Sequence, residues 1–267
     1  IPNYRTYSGS VKIYQYSSNA WSQLGADING EANYDYSGSF VSLSSDGKTI
    51  AIGAPYNDGN GNDSGHVRIY NYDGSNWTQL GFDIDGEAAN EYSGRSVSLS
   101  SDGSTLAVGA DYNDGNGTNS GHVRVYSYYA GSWNKRGMDI DGEAASDQSG
   151  KSVSLSADGT ILAIGAHYND GNGSNSGHVR VFQFSNDSWS QLGEDIDGEA
   201  VSNYSGYSVS LTSDGKTVAI GAVHAMMKGR RMWIPGTFNK LLAFLCIIFP
   251  TILVIKMSSR LAGGRYE

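Results

Sequence analysis

Two short runs of acid and amide side chains recur along the chain with enough oxygen to do chemistry. The first is Asn57-Asp58-Gly59-Asn60-Gly61-Asn62-Asp63, repeated at 113–119 and 169–175. Its side-chain oxygens (Asp58, Asn60 and Asp63, then Asp114 and Asn116, then Asp170 and Asn172) alternate with glycines. Such a loop could wrap a hard cation such as calcium, which takes six to eight oxygen ligands. It is not an EF-hand loop, because glycine falls early and the distal Glu is missing. The same residues also read as a polar turn in which Gly and Asn supply positive φ. The second run, Asp83-Ile84-Asp85-Gly86-Glu87, recurs at 139–143 and 195–199, and at 27–31 with Asn29 in the middle position. Two Asp at i and i+2 on a strand share a face. They could hold a cation, or act as an acid and base pair of the glycosidase kind. Repetition argues against catalysis, since one active site needs one asymmetric constellation, and the run also reads as a solvated turn at the end of each unit.

His66, His122 and His178 each stand in a Gly-His-Val step and are each followed two residues later by Arg. Equivalent positions on separate units are too far apart to share one zinc ion, so these histidines are expected to pack on unit surfaces. Trp21, Trp77, Trp133 and Trp189 are expected to pack between units, with stacking on sugar rings as the alternative. No Ser-His-Asp arrangement, phosphate-binding loop, dinucleotide fingerprint or metalloprotease motif is present.

The elements that position these residues follow from the repeat. The four Trp are 56 residues apart, as are Gly53, Gly109, Gly165 and Gly221. One unit divides into four strand-like pieces. Ser96–Ser100 alternates with period two and is followed by the tight turn Asp102-Gly103. Thr105–Ala110 is nearly all small or apolar and should be buried on both faces. After the loop Tyr112–Gly121, His122–Tyr126 alternates again, and a fourth piece carries Trp133 and ends at the acidic run. Four antiparallel strands per unit, repeated in register, predict an all-β protein with stacked propeller blades. A β-solenoid would normally have shorter repeats. Residues 9–30 supply a third and fourth strand, and 204–222 a first and second. The expectation is therefore a four-bladed ring closed by a split blade, or an arc of a larger propeller.

The totals agree with that reading. Among 267 residues there are 36 Gly, 4 Pro and 18 Tyr against 7 Phe, a mix that suits short strands and turns. The single cysteine, Cys246, excludes an internal disulfide framework. Of 18 basic and 27 acidic residues, seven and one lie from Val223 onward, leaving 11 and 26 in the body, a net of −15. So acidic a body argues against nucleic-acid partners and favours cations.

The units resemble the FG-GAP repeats of the integrin α-subunit head. The matching stretches are Gly38-Ser39-Phe40-Val41, Ile50-Ala51-Ile52-Gly53-Ala54-Pro55 and Gly65-His66-Val67-Arg68-Ile69-Tyr70, and they recur over about 9–222. The resemblance implies a seven-bladed β-propeller and extracellular adhesion or ligand binding. Two features depart from it. Ser37, Ser93, Ser149 and Ser205 stand where the family has Phe, and the family's Asp-rich calcium loop between first and second strands is replaced by steps such as Ser45-Asp46-Gly47. No calcium ligand is carried over from the family.

The propeller is expected over 1–222, with a basic and hydrophobic tail over 223–267. Leu241–Ile255 is an apolar run, interrupted by Pro250, that could extend to a membrane helix over 233–255. Because the blade pattern stops inside a unit, a tail foreign to the reading frame is the competing expectation. The start at Ile1 suggests a fragment. Six Asn-x-Ser/Thr sequons, at Asn62, Asn76, Asn116, Asn172, Asn186 and Asn203, are compatible with secretion. The functional expectation is a non-catalytic cell-surface or secreted module that binds a protein or glycan through blade loops. A propeller glycoside hydrolase or lyase, or a purely structural surface repeat protein, are the alternatives.

Overall fold

The computed structural model describes residues 7–223, all of them within one compact unit, Ile1–His224. The expected membrane helix over 233–255 lies outside the described residues. Among those described, no helix is long and apolar enough to cross a membrane.

The fold is all-β, and its strands form antiparallel propeller blades. Three blades are whole. The second comprises Ser96–Leu99, Thr105–Ala110, His122–Tyr129 and Ser132–Lys135, hydrogen-bonded in that order. The first (Phe40–Gln79) and third (Ser149–Gln191) repeat it. The fourth strand is split. Ser132–Lys135 pairs with the end of the third strand, whereas Ile140–Asp141 pairs with its beginning, His122 and Val123. Between them Gly137 takes a positive φ of 82° and lies against Trp189 of the next blade. A side chain there would meet the indole, which is why the strand breaks at that glycine.

Each blade buries its faces against its neighbours. The second strands Thr49–Ala54 and Thr105–Ala110 are buried at every position. Ala51, Val67 and Ile69 of the first blade meet Leu99, Leu106, Val108 and Tyr126 of the second in one cluster. Ala107, Val123 and Val125 on the opposite face meet Val153, Leu155, Leu162 and Ile164 of the third. Backbone spacing is tight enough that a Cβ on Gly109 would lie 2.2 Å from the Gly150 carbonyl oxygen. Three of the four repeat tryptophans pack between units, each donating from Nε1 to a carbonyl of the preceding one, Trp77 to Leu24 at 2.7 Å, Trp133 to Leu80 at 2.9 Å and Trp189 to Arg136 at 2.8 Å, whereas Trp21 stays exposed.

The terminal half-units do not pair to close a ring. Ser10–Val11 pairs with Ile28–Asn29, Tyr14–Ser17 with Ala20–Gln23, and Ser208–Leu211 with Val218–Gly221, in three separate sheets. Side chains buried in the interior are open at these edges. Trp21 is 71% exposed, and Phe40, Val41, Leu43 and Ile196 are exposed as well. Among the described residues the half-units are therefore open edges and do not form a closed ring.

Strand direction sorts the loops. First strands begin, second strands end and third strands begin at one end of each blade. The Asn/Asp loops and the acidic runs therefore share that end, and the Asp-Gly hairpins lie at the other.

Candidate functional site

The loop end holds two kinds of feature: groups that repeat in every blade and groups that do not. The Asn/Asp loops repeat. Asp58 Oδ1 accepts from the Asp63 amide at 2.9 Å, as Asp114 does from Asn119 and Asp170 from Asn175, both at 2.7 Å. Asn60, Asn116 and Asn172 donate from Nδ2 to the Gly86, Gly142 and Gly198 carbonyls at 2.8 Å, tying each loop to its acidic run. Asp63 sits beside Asp58, and burial, then that neighbour's charge, pushes its carboxyl up. The structure thus brings Asp58 and Asp63 together and directs Asn60 to the backbone.

Buried acids also repeat. Glu91 accepts from Asn113 Nδ2 at 2.6 Å through one oxygen and from the Glu87 amide at 2.8 Å through the other. Asp35 and Asp147 accept from Asn57 and Asn169 at 3.1 and 3.0 Å and from the Ala32 and Ala144 amides, in each case through Oδ2 alone. These carboxylates are clamps that fasten each loop to the strand entry before it.

The histidines are not on blade surfaces. His66, His122 and His178 are 2%, 2% and 1% exposed, and each faces a carboxylate from the acidic run of its own unit and one from the unit before. His66 Nδ1 is 3.8 Å from Asp83 Oδ2 and 4.0 Å from Asp85 Oδ1, so the two Asp of the run do converge on one point. Burial lowers the imidazole pKa in all three, to about 4 for His122.

The non-repeating features lie where second strands end and first strands begin. Pro55, Asp111 and His167 occupy one position of the repeat, and Ser39, Arg95, Lys151 and Tyr207 another. Four of these seven make a single charged cluster. Asp111 is fully buried, with Arg95 Nε at 3.5 Å and Lys151 Nζ at 3.6 Å from its Oδ2, and among the described residues neither oxygen accepts a hydrogen bond. Burial pushes the Asp111 carboxyl up, against the pull of Arg95 and Lys151. Burial lowers the Lys151 ammonium, and the Asp111 charge opposes that. His167, with Nδ1 buried and unpartnered, is lowered to about 3 by burial and then by the Lys151 and Arg95 charges.

Aromatic rings border the cluster. Tyr36, Tyr56, Tyr92 and Tyr112 follow one another at centroid separations of 5.2, 5.3 and 5.1 Å. Arg95 lies 5.2 Å from the Tyr112 ring, and Lys151 5.4 Å from Tyr207. Gln148 interrupts the ribbon where other units place Tyr, and beyond it His167 contacts Tyr168, Tyr204 and Tyr207. Tyr36, Tyr92, Gln148 and Tyr204 all hold φ between 51° and 56°, a left-handed backbone at alternate members of the ribbon that costs about 1 kcal/mol or more per residue. Neither cluster nor ribbon was foreseen. The cluster's signal was available as positions at which aligned units disagree, and the ribbon's as tyrosines that recur at Tyr36, Tyr92 and Tyr204 and at Tyr56, Tyr112 and Tyr168.

The FG-GAP repeat matches at 29–70, 84–126 and 140–182, each segment running to the middle of a third strand. This chain is built of FG-GAP repeats. Its propeller blades were legible in the glycine and strand spacing and its FG-GAP identity in the resemblance of stretches such as Ile50–Pro55 and Gly65–Tyr70, and Ser in place of the family's Phe leaves the blades intact. No curated protein matches the sequence. Among solved structures, a putative 6-phosphogluconolactonase from Bacteroides fragilis is similar at 12% identity, with a TM-score of 0.47 over 72% of this chain. The match spans 43% of that protein's length.

Proposed function

We propose that this FG-GAP protein is a non-catalytic binding module, at the cell surface or secreted, whose ligand docks on the loop end of the blades. The observation that carries the reading is the convergence of Arg95, Asp111, Lys151 and His167, which differ from unit to unit, beside a ribbon of partly exposed tyrosines. A flat run of aromatic rings offers apolar faces to a sugar ring, and charged groups at its border fix orientation. Two cations against one carboxylate favour an acidic glycan over a neutral one. A protein ligand would use the same tyrosines.

Calcium bound by Asp58, Asn60 and Asp63, by Asp114 and Asn116, and by Asp170 and Asn172 belongs to this reading, as a brace for the ligand-bearing loops. The raised Asp63 carboxyl beside Asp58 supports it, because a cation would relieve the like-charge pair. Membrane anchoring through 233–255 would hold such a module at a surface.

One observation favours a second reading. A buried Asp and His with unsatisfied polar atoms, beside a partly buried Lys, are also what a glycoside hydrolase or lyase would gather. A glycan array combined with an assay for released reducing ends separates the two. Saturable binding of acidic glycans without turnover supports the module, turnover supports the enzyme, and neither points to a structural surface repeat.

A further inference from the structure

We propose that the inter-blade clusters Glu31–His66–Asp83, Glu87–His122–Asp139 and Glu143–His178–Asp195 are sites for a divalent transition metal, with zinc the ion their donors fit. One imidazole and two carboxylates form a mixed nitrogen and oxygen set. Calcium prefers oxygen alone and in greater number, whereas zinc accepts three such ligands and completes its tetrahedron with water.

The imidazole is what distinguishes these clusters from a surface patch of acids. His66 and His178 are sealed into the blade interface, and Nε2 of each has no hydrogen-bond partner. Nδ1 points at the acids without bonding to them. It is 3.8 Å from Asp83 Oδ2 in the first cluster, and 3.7 Å from Asp195 Oδ2 and 3.8 Å from Glu143 Oε2 in the third. Those separations are too long for hydrogen bonds and close to the ligand-to-ligand spacing of about 3.4 Å that zinc bond lengths imply. All ligand atoms of a cluster lie within 4.8 Å of one another, and the exposed Glu is held beside the histidine by an arginine, Glu31 by Arg68, Glu87 by Arg124 and Glu143 by Arg180.

Neighbouring groups orient the ligands. Gln79 and Gln191 donate to Oδ1 of Asp83 and Asp195, which leaves Oδ2 facing the imidazole. Arg180 holds Glu143 by Oε1 at 3.6 Å and so presents Oε2 to His178. The middle cluster differs at one residue. Lys135 replaces the glutamine, and its Nζ lies 2.6 Å from Asp139 Oδ1. A resident cation beside a ligand makes this the weakest of the three sites. Because Glu comes from one unit and His and Asp from the next, each ion would cross-link two blades.

The test is zinc titration of the chelator-stripped full chain by calorimetry, with cobalt absorption reporting ligand geometry. The expected result is two equivalents of similar affinity and a third at least tenfold weaker, together with a rise in melting temperature on adding zinc. Asp83→Asn and Asp195→Asn, which preserve shape, should each remove one tight equivalent. Lys135→Gln, which installs the residue of the other two units, should raise the third site to match them. Zinc binding weaker than about 100 µM throughout overturns the proposal. An unchanged stoichiometry in the Asp83→Asn, Asp195→Asn double variant does so too.

Discussion

Glu91 and Asp111 are both buried acids at the loop end of the molecule, and they are treated in opposite ways. Glu91 has a counterpart in the other whole blades' entry loops, and both of its oxygens accept hydrogen bonds. Asp111 has no acidic counterpart, and its two oxygens accept none, although two cations stand within 3.6 Å. A position that recurs every 56 residues serves the blade, because every copy must solve the same packing problem. A position that departs from the repeat at the cost of an unsatisfied buried carboxylate serves something particular to that place on the surface.

The largest test of the first half of that comparison concerns the tryptophans. Trp133→Ala removes a ring packed on the preceding blade and its hydrogen bond to Leu80, and should cost about 3 kcal/mol in denaturant unfolding. Trp21→Ala, at an open edge, should cost less than about 0.5 kcal/mol. Equal costs would mean that the repeat position, rather than its neighbour, sets the stability.

A smaller effect is expected at the clamps. Asn113→Ala leaves the Glu91 carboxylate buried with one hydrogen bond fewer, at about 2 kcal/mol, and ligand affinity should stay within about twofold. A tenfold loss of binding without loss of stability would place the clamp in the site instead.

A pH profile sharpens the comparison from the other side. His167 is neutral in the fold and has a pKa of about 3 there, against an ordinary value near 6.5. Unfolding therefore takes up a proton between those limits, and stability falls as pH drops from about 6.5 toward 3, by up to about 1.4 kcal/mol per pH unit. The charged groups facing it are Lys151 and Arg95. His167→Ala should flatten that slope by about one proton. A slope identical to the parent's would show that His167 is not held neutral.

Much of this was legible beforehand, for a physical reason. Strand patterns such as Thr105–Ala110 and turns such as Asp102-Gly103 are local signals, and repetition at 56 residues reinforces them. Tertiary pairing was less so. The split of the fourth strand depends on Gly137 meeting Trp189 of another blade, and His66 needs Glu31 of the preceding unit and Asp83 of its own. Read one run at a time, His66 looked like surface packing and Asp83 like a solvated turn. Only the blade interface unites them. The Arg95–Asp111 cluster was not legible because its residues depart from the 56-residue pattern and meet only across the interface of neighbouring strands.

The most direct measurement is of a triple variant that returns the cluster toward the repeat: Arg95→Ser and Lys151→Ser, as in Ser39, with Asp111→Asn to avoid leaving a lone buried charge. Its affinity for the acidic glycans selected on the array should fall at least tenfold, while its melting temperature stays within about 5 °C of the parent. A variant that melts like the parent and still binds those glycans with unchanged affinity would contradict the assignment of the site to the broken repeat.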